Sequence, residues 1–201
     1  MFTYQVSEIY RAIAGEGWHS GMPCTLVRLQ GCNLRCDFCD TKYAQDLDDG
    51  EELTVRGIYE VVAKTHLQGD IVLLTGGEPT MQPNISMLAA RLGYLGPVHL
   101  ETNGTLPLYS PEMFSWVTLS PKPPNSVYPP TYERANELKW LVGSEDDVDA
   151  LRAWLKTSRK QMNVSVQPIS EDPTATRICY DACLAYGWRL SLQLHKLIGV
   201  K

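Results

Sequence analysis

The sequence predicts an α/β fold, a shortened and partly open (βα) barrel. Three observations predict it. Short apolar runs of strand length alternate with segments of helical spacing, the pattern of βαβ units around a parallel sheet. Polar or glycine-rich motifs stand directly after most of the apolar runs, and such folds place their ligands at the carboxyl ends of the strands. At 201 residues the chain is too short for eight full βα units, yet long enough to bury one sizeable core. One domain spanning residues 1–201 is expected.

The elements follow in order. Cys24 to Gln30 (CTLVRLQ) reads as a buried strand. Val55 to Leu67 has helical spacing, with Thr54 placed to cap it. Asp70 to Thr75 is a short apolar run ending at Gly-Gly, hence a strand, and Ile85 to Leu95 is helical. Val98 to Thr102, Trp116 to Leu119 and Glu137 to Val142 read as strands, and Pro121 to Pro130 as a proline-rich loop. Ser144 opens a helix whose first turn carries Glu145, Asp146 and Asp147, favourable at the positive end of a helix dipole. Val164 to Gln167 is a strand, Thr174 to Tyr186 a helix, and Leu190 to Leu194 closes the series as a strand.

Composition narrows the function. Apolar residues make up 44% and charged residues 20%, as in ordinary soluble globular proteins. A formal net charge of -5 argues against a nucleic-acid or anionic-membrane surface. No apolar run is long enough to span a bilayer. The N-terminal Met1-Phe2-Thr3-Tyr4-Gln5 lacks the pattern of a secretory signal, so the cytoplasm is the expected location. In that reducing compartment six cysteines do not point to disulfides, and three of them within eight residues point to a metal.

Residues 31–39 read Gly-Cys-Asn-Leu-Arg-Cys-Asp-Phe-Cys, which sets Cys32, Cys36 and Cys39 at C-x3-C-x2-C spacing just after the first strand of this series. Three thiolates on one short loop can hold three irons of a 4Fe–4S cube and leave the fourth without a protein ligand. The amino and carboxylate groups of S-adenosylmethionine suit that open position. An electron delivered to the cluster can then break the adjacent sulfonium bond, giving methionine and a 5′-deoxyadenosyl radical. Structural zinc needs four ligands, commonly in two separated pairs. Cys24, Cys179, Cys183 and the four His residues stand at no usual spacing for it, and the three cysteines are expected to face the core. With Phe38 before its last cysteine, the loop resembles the signature of the radical S-adenosylmethionine superfamily.

Thr75-Gly76-Gly77-Glu78-Pro79 follows the next strand. Glycines there allow close backbone approach to a ligand. The stretch resembles the superfamily motif for the amino group of S-adenosylmethionine, which assigns Gly76, Gly77 and Glu78 to the cofactor. Asn103 in Glu-Thr-Asn-Gly, then Ser120, Pro121 and Lys122, then Gln167, Pro168, Ile169 and Ser170 all end later strands. By position they can bond the ribose, adenine and methionyl carboxylate.

Further motifs narrow the resemblance: Gly15-Glu16-Gly17, Arg28, Cys39-Asp40-Thr41, Ser120-Pro121-Lys122, Gln167-Pro168 and a terminal His195-Lys196. From Glu8 to Lys201 the chain resembles the 7-carboxy-7-deazaguanine synthase family of queuosine and 7-deazapurine biosynthesis. The resemblance implies a barrel of the radical S-adenosylmethionine type, a homodimer, Mg²⁺, an electron donor such as flavodoxin, and 6-carboxy-5,6,7,8-tetrahydropterin as substrate. It implies that Arg28 pairs with the substrate carboxylate, as a planar fork does well, and that Thr41 ligates Mg²⁺. Ile13, Ala14, Gly15, Glu16, Thr75, Glu101, His195 and the terminal carboxylate of Lys201 are the implied substrate contacts. Where Ala14 stands the family often carries Gln, so a side-chain contact is lost there and backbone contacts survive. A glycyl-radical-enzyme activase shares the cysteine spacing and Gly-Gly-Glu-Pro but has no need of Gly-Glu-Gly or Thr41.

Overall fold

A computed structural model describes residues 2–158 and 160–200 of the chain. All nine of its strands belong to one sheet in the order β3-β1-β2-β4-β5-β6-β7-β8-β9. β1 (Thr3–Ile13) runs antiparallel to β2 (Pro23–Leu29) on one side and to β3 (Glu51–Thr54) on the other. From β2 onward the sheet is parallel, through β4 (Ile71–Gly76), β5 (Val98–Thr102), β6 (Trp116–Leu119), β7 (Glu137–Val142), β8 (Asn163–Pro168) and β9 (Arg189–Leu190). Among the described residues β3 and β9 are the two edge strands and do not pair with each other, so the barrel is open, as the chain length predicts.

The two faces of the sheet differ in chemistry because side chains alternate along a strand. One face presents Val27 and Leu29, Val72 and Leu74, Leu100, Val117 and Leu119, Leu138 and Trp140, and Val166. Helices cover it. α1 (Val55–Thr65) and α2 (Ile85–Leu92) pack Ile58, Val62, Leu88 and Leu92 against the first half of the sheet. α4 (Glu145–Thr157) and α5 (Pro173–Tyr186) pack Val148, Leu151 and Cys179 against the second. Each large side chain so buried is worth about 1.5–3 kcal/mol. The opposite face carries Arg28, Thr75, Glu101, Lys139 and Gln167, and this polar row becomes the floor of the site.

Local signals set the helix starts. Thr54 accepts a hydrogen bond from the Gly57 N–H at 3.1 Å, and Asp172 accepts one from the Ala175 N–H at 2.8 Å. The Asp147 carboxylate reaches back to the Ser144 N–H at 2.9 Å.

The structure departs from expectation in four places. β1 is a long strand where the sequence suggested only a segment before the core, because its charges are matched out of sight: Glu8 by Arg28 and Arg11 by Asp70, both at 2.7 Å. The short β3 was not foreseen. The proline-rich loop ends in a short helix, α3 (Pro129–Arg134), whose leading prolines need no N–H bond. The last strand stops at Leu190 instead of Leu194, since Ser191 and Gln193 turn into the site, and the chain enters α6 (Leu194–Leu197). Cys24 and Cys179 are fully buried, as expected.

Toward the amino ends of the strands, aromatic rings fill the polar face. His19 stacks edge-on against His99 and Trp116 at centroid distances of 4.5 and 4.4 Å. His99 is 7% exposed. Burial, then the neighbouring His19, lowers its pKa to about 4. The folded value lies below the unfolded one, so the unfolded chain binds more protons between the two, and stability is lost as pH falls through that window. Between about pH 7.5 and about pH 5 the wild type should lose about 2 kcal/mol through this group. Urea titrations of wild type and His99→Asn measure the difference, which the variant should lack.

Candidate active site

A single cleft opens at the carboxyl ends of the parallel strands and gathers Cys32, Cys36 and Cys39 with Arg28, Thr75, Glu101, Lys139 and Gln167. The cysteine loop leaves β2 at Gly31, whose φ of 97° is a backbone state that favours glycine. The loop is held from both sides. The Gly31 and Cys32 N–H groups donate to the Ala44 and Gln45 carbonyls at 2.9 Å each. The Gln30 amide is buried beneath the loop and donates to the Tyr43 and Asp46 carbonyls at 2.7 and 2.8 Å. The Arg35 guanidinium binds the Cys32 carbonyl at 2.6 Å and Asp46 at 2.7 Å. Leu34 and Phe38 line the cleft beside the sulfurs.

These donors fit an iron–sulfur cluster. All three cysteines are free and border the same cleft. Cys24 and Cys179 are sealed in the core, and Cys183 packs against it. Burial pushes the Cys32 and Cys36 thiols up, so metal binding must displace their protons.

Gly76 and Gly77 shape the rim by close approach. A Cβ on Gly76 would lie 2.0 Å from the Leu29 carbonyl oxygen, and one on Gly77 2.3 Å from that of Gly31. Glu78 does not line the cleft. It is 1% exposed, and its carboxylate accepts hydrogen bonds from the Thr80 N–H and hydroxyl, the Thr102 hydroxyl and the Asn103 N–H at 2.6–3.0 Å. It therefore ties the exit of β4 to that of β5. Asn103, Ser120, Lys122, Gln167, Pro168, Ile169 and Ser170 do line the cleft, and Pro121 does not. Lys122 donates to the Ser120 carbonyl and hydroxyl at 2.6 and 2.7 Å. Burial, then the charge on Lys139, lowers its pKa to about 8.

A charged network crosses the floor. Lys139 donates to Glu16 at 2.8 Å and to Glu101 at 3.0 Å, and the Thr75 hydroxyl donates to Glu101 at 2.9 Å. Gln167 and Gln193 donate to Glu16 at 2.9 and 2.8 Å. Burial opposes the charges, yet Lys139 overcomes it to hold Glu16 well below the usual carboxylate range. Glu101 and Glu16 in turn hold Lys139 above the usual lysine range. Gln193 also donates to Asp40 at 2.7 Å, as does Lys196, so the C-terminal segment is bonded to the cysteine loop. Thr41 lines the cleft and donates to Asp40 at 3.0 Å.

Ile13, Ala14 and Gly15 do not line the cleft. The Gly15 carbonyl accepts from the Leu194 N–H at 2.9 Å, and the His195 ring packs on Gly15. Lys201 lies outside the described residues. Sequence reasoning missed Lys139, Gln193 and the bonding of Asp40. The one available signal was a lysine in the middle of a buried strand.

The open parallel barrel and its three-cysteine loop define a radical S-adenosylmethionine enzyme, and residues 26–128 match the Radical SAM superfamily. The chain is 32% identical to the 7-carboxy-7-deazaguanine synthase of Escherichia coli, over 98% of this chain and 99% of that one. It is 34% identical to the protein of that name from Bacteroides thetaiotaomicron, over 98% of each. The crystal structure of QueE from Escherichia coli superposes with a TM-score of 0.83 at 31% identity, covering 96% of this chain and 95% of that one. The chain belongs to the 7-carboxy-7-deazaguanine synthase family.

Proposed function

We propose that this chain, as one domain, converts 6-carboxy-5,6,7,8-tetrahydropterin to 7-carboxy-7-deazaguanine, the product for which its relatives are named. A hydrogen atom is taken from the carbon that bears the carboxylate and is returned after the ring contracts, so that the net change is loss of ammonia. The observation that carries the reading is Arg28. It is a largely buried guanidinium, 16% exposed, lining the same cleft as the three cysteines. Its Nε–H is committed to Glu8 at 2.7 Å, and its terminal nitrogens form the fork that receives the substrate carboxylate.

Cys32, Cys36 and Cys39 would hold a 4Fe–4S cluster, which when bound supplies the electron that cleaves S-adenosylmethionine to the hydrogen-abstracting radical. Gly76, Gly77, Asn103, Ser120, Lys122 and Gln167 to Ser170, which line the same cleft, would hold S-adenosylmethionine, and Leu34 and Phe38 would limit the access of water to the sulfurs. Thr75, Glu101 and Glu16 face the pterin. Thr41 would give Mg²⁺ one hard oxygen, the rest coming from substrate and water. The protein works as a homodimer in the cytoplasm and takes electrons from a flavodoxin-type donor. Among the described residues no helix is long and apolar enough to cross a membrane.

The test is direct. Anaerobically reconstituted, reduced protein is given S-adenosylmethionine, Mg²⁺ and the carboxylated pterin. Mass spectrometry should find the deazapurine and one equivalent of ammonia. Reductive cleavage of S-adenosylmethionine with no deazapurine would refute the substrate.

A further inference from the structure

We propose that Lys139 is a positioning residue, which holds Glu16 and Glu101 together so that Glu101 faces the N–H-bearing edge of the substrate heterocycle. The inference rests on the function proposed above.

The placement comes from register. Lys139 lies on β7, pairs with Ser165 of β8, and stands two residues along β7 from Glu137, which pairs with Thr118 of β6 and, through it, aligns with Glu101 of β5. Its side chain is 6% exposed and reaches back over β6 to Glu101 while also meeting Glu16 from the turn after β1. Stability alone does not account for such a group. Replacing a buried ion pair by apolar side chains of similar size is often neutral or stabilising, and the neighbouring Leu138 and Trp140 show that this strand readily buries apolar groups.

Counting acceptors shows what the arrangement leaves over. A carboxylate offers about four acceptor positions. Glu16 spends three of its own, on Lys139, Gln167 and Gln193. Glu101 spends one on each oxygen, to Lys139 and Thr75. Glu101 therefore keeps a position on each oxygen, and it lines the cleft. Arg28 pairs in register with Thr75, and Thr75 bonds Glu101. The carboxylate fork and the free acceptors thus stand two strand spacings apart, about 10 Å of backbone. That span suits a bicyclic heterocycle with a carboxylate at one end and N–H donors at the other.

Without Lys139, two carboxylates would share the floor with no cation between them, and one would have to swing away or take a proton. Removing one negative charge as well restores the floor's net charge.

Pterin affinity is measured by calorimetry on cluster-loaded, unreduced enzyme with S-adenosylmethionine, alongside KM and kcat. Lys139→Met should raise the pterin Kd and KM at least about tenfold, leave S-adenosylmethionine affinity unchanged, and be relieved in large part by adding Glu16→Gln. A pterin Kd within about twofold of wild type, or a loss that Glu16→Gln does not relieve, overturns the role. If Lys139→Met does not fold, Lys139→Arg decides. Retained pterin affinity supports the role, and lost pterin affinity with S-adenosylmethionine binding intact overturns it. Wild-type turnover is run in parallel. No deazapurine there refutes the proposed function and the inference with it, whereas normal wild-type turnover with an indifferent Lys139→Met refutes the inference alone.

Discussion

Alanine at Cys36 should abolish deazapurine formation and reduce bound iron from about four atoms per chain to near zero. The same holds for Cys32 and Cys39. The three sulfurs share one loop, and Cys24 and Cys179, the fully buried cysteines, lie in the core where they cannot substitute. The fold should survive the change. The three cysteines are only partly buried, and the loop is held by Gln30, Arg35 and backbone bonds to Ala44 and Gln45 that do not involve a sulfur. Thermal unfolding of the metal-free forms should therefore differ from wild type by less than about 1 kcal/mol. Iron analysis, product assay and melting together separate loss of the cluster from loss of the fold. A Cys36→Ala protein that retained full iron and activity would show that the cysteine loop is not the metal site.

The second large effect belongs to Arg28. Arg28→Ala should lower kcat/KM for the carboxylated pterin about 100- to 1000-fold, the usual cost of removing one partner from a desolvated, charge-assisted pair. Arg28→Lys should recover only part of this, because an ammonium restores the charge but not the fork. The change also removes the cation 2.7 Å from Glu8, so some destabilisation accompanies it. S-adenosylmethionine cleavage in the absence of pterin should be unaffected. If Arg28→Ala retained wild-type kcat/KM, the carboxylate would be bound elsewhere.

The legible parts of the fold were those whose chemistry is local. β5, β6 and β7 occur where the apolar runs Val98–Thr102, Trp116–Leu119 and Glu137–Val142 predict them. Thr54, Asp147 and the cysteine loop announce themselves within a few residues. β1 was not legible, because Glu8 and Arg11 interrupt its apolar pattern and their partners, Arg28 and Asp70, lie 20 and 59 residues away. Lys139 was visible as a charge inside an apolar strand, but its meaning depends on Glu16, 123 residues distant. Glu78 shows the opposite case. Its motif is conspicuous, yet the fold spends its carboxylate on Thr80, Thr102 and Asn103. Gln193 read as one more strand residue, and only the turn of the chain after Leu190 brings it to Glu16 and Asp40.

The central claim is that three cysteines hold a four-iron cluster and leave one iron open to S-adenosylmethionine. Electron paramagnetic resonance of the reduced, reconstituted protein, recorded with and without S-adenosylmethionine, tests it most directly. The signal of a reduced 4Fe–4S cluster should appear at about four irons per chain and should change when S-adenosylmethionine is added. A signal indifferent to S-adenosylmethionine, or one showing a fourth protein donor on the cluster, would contradict the account.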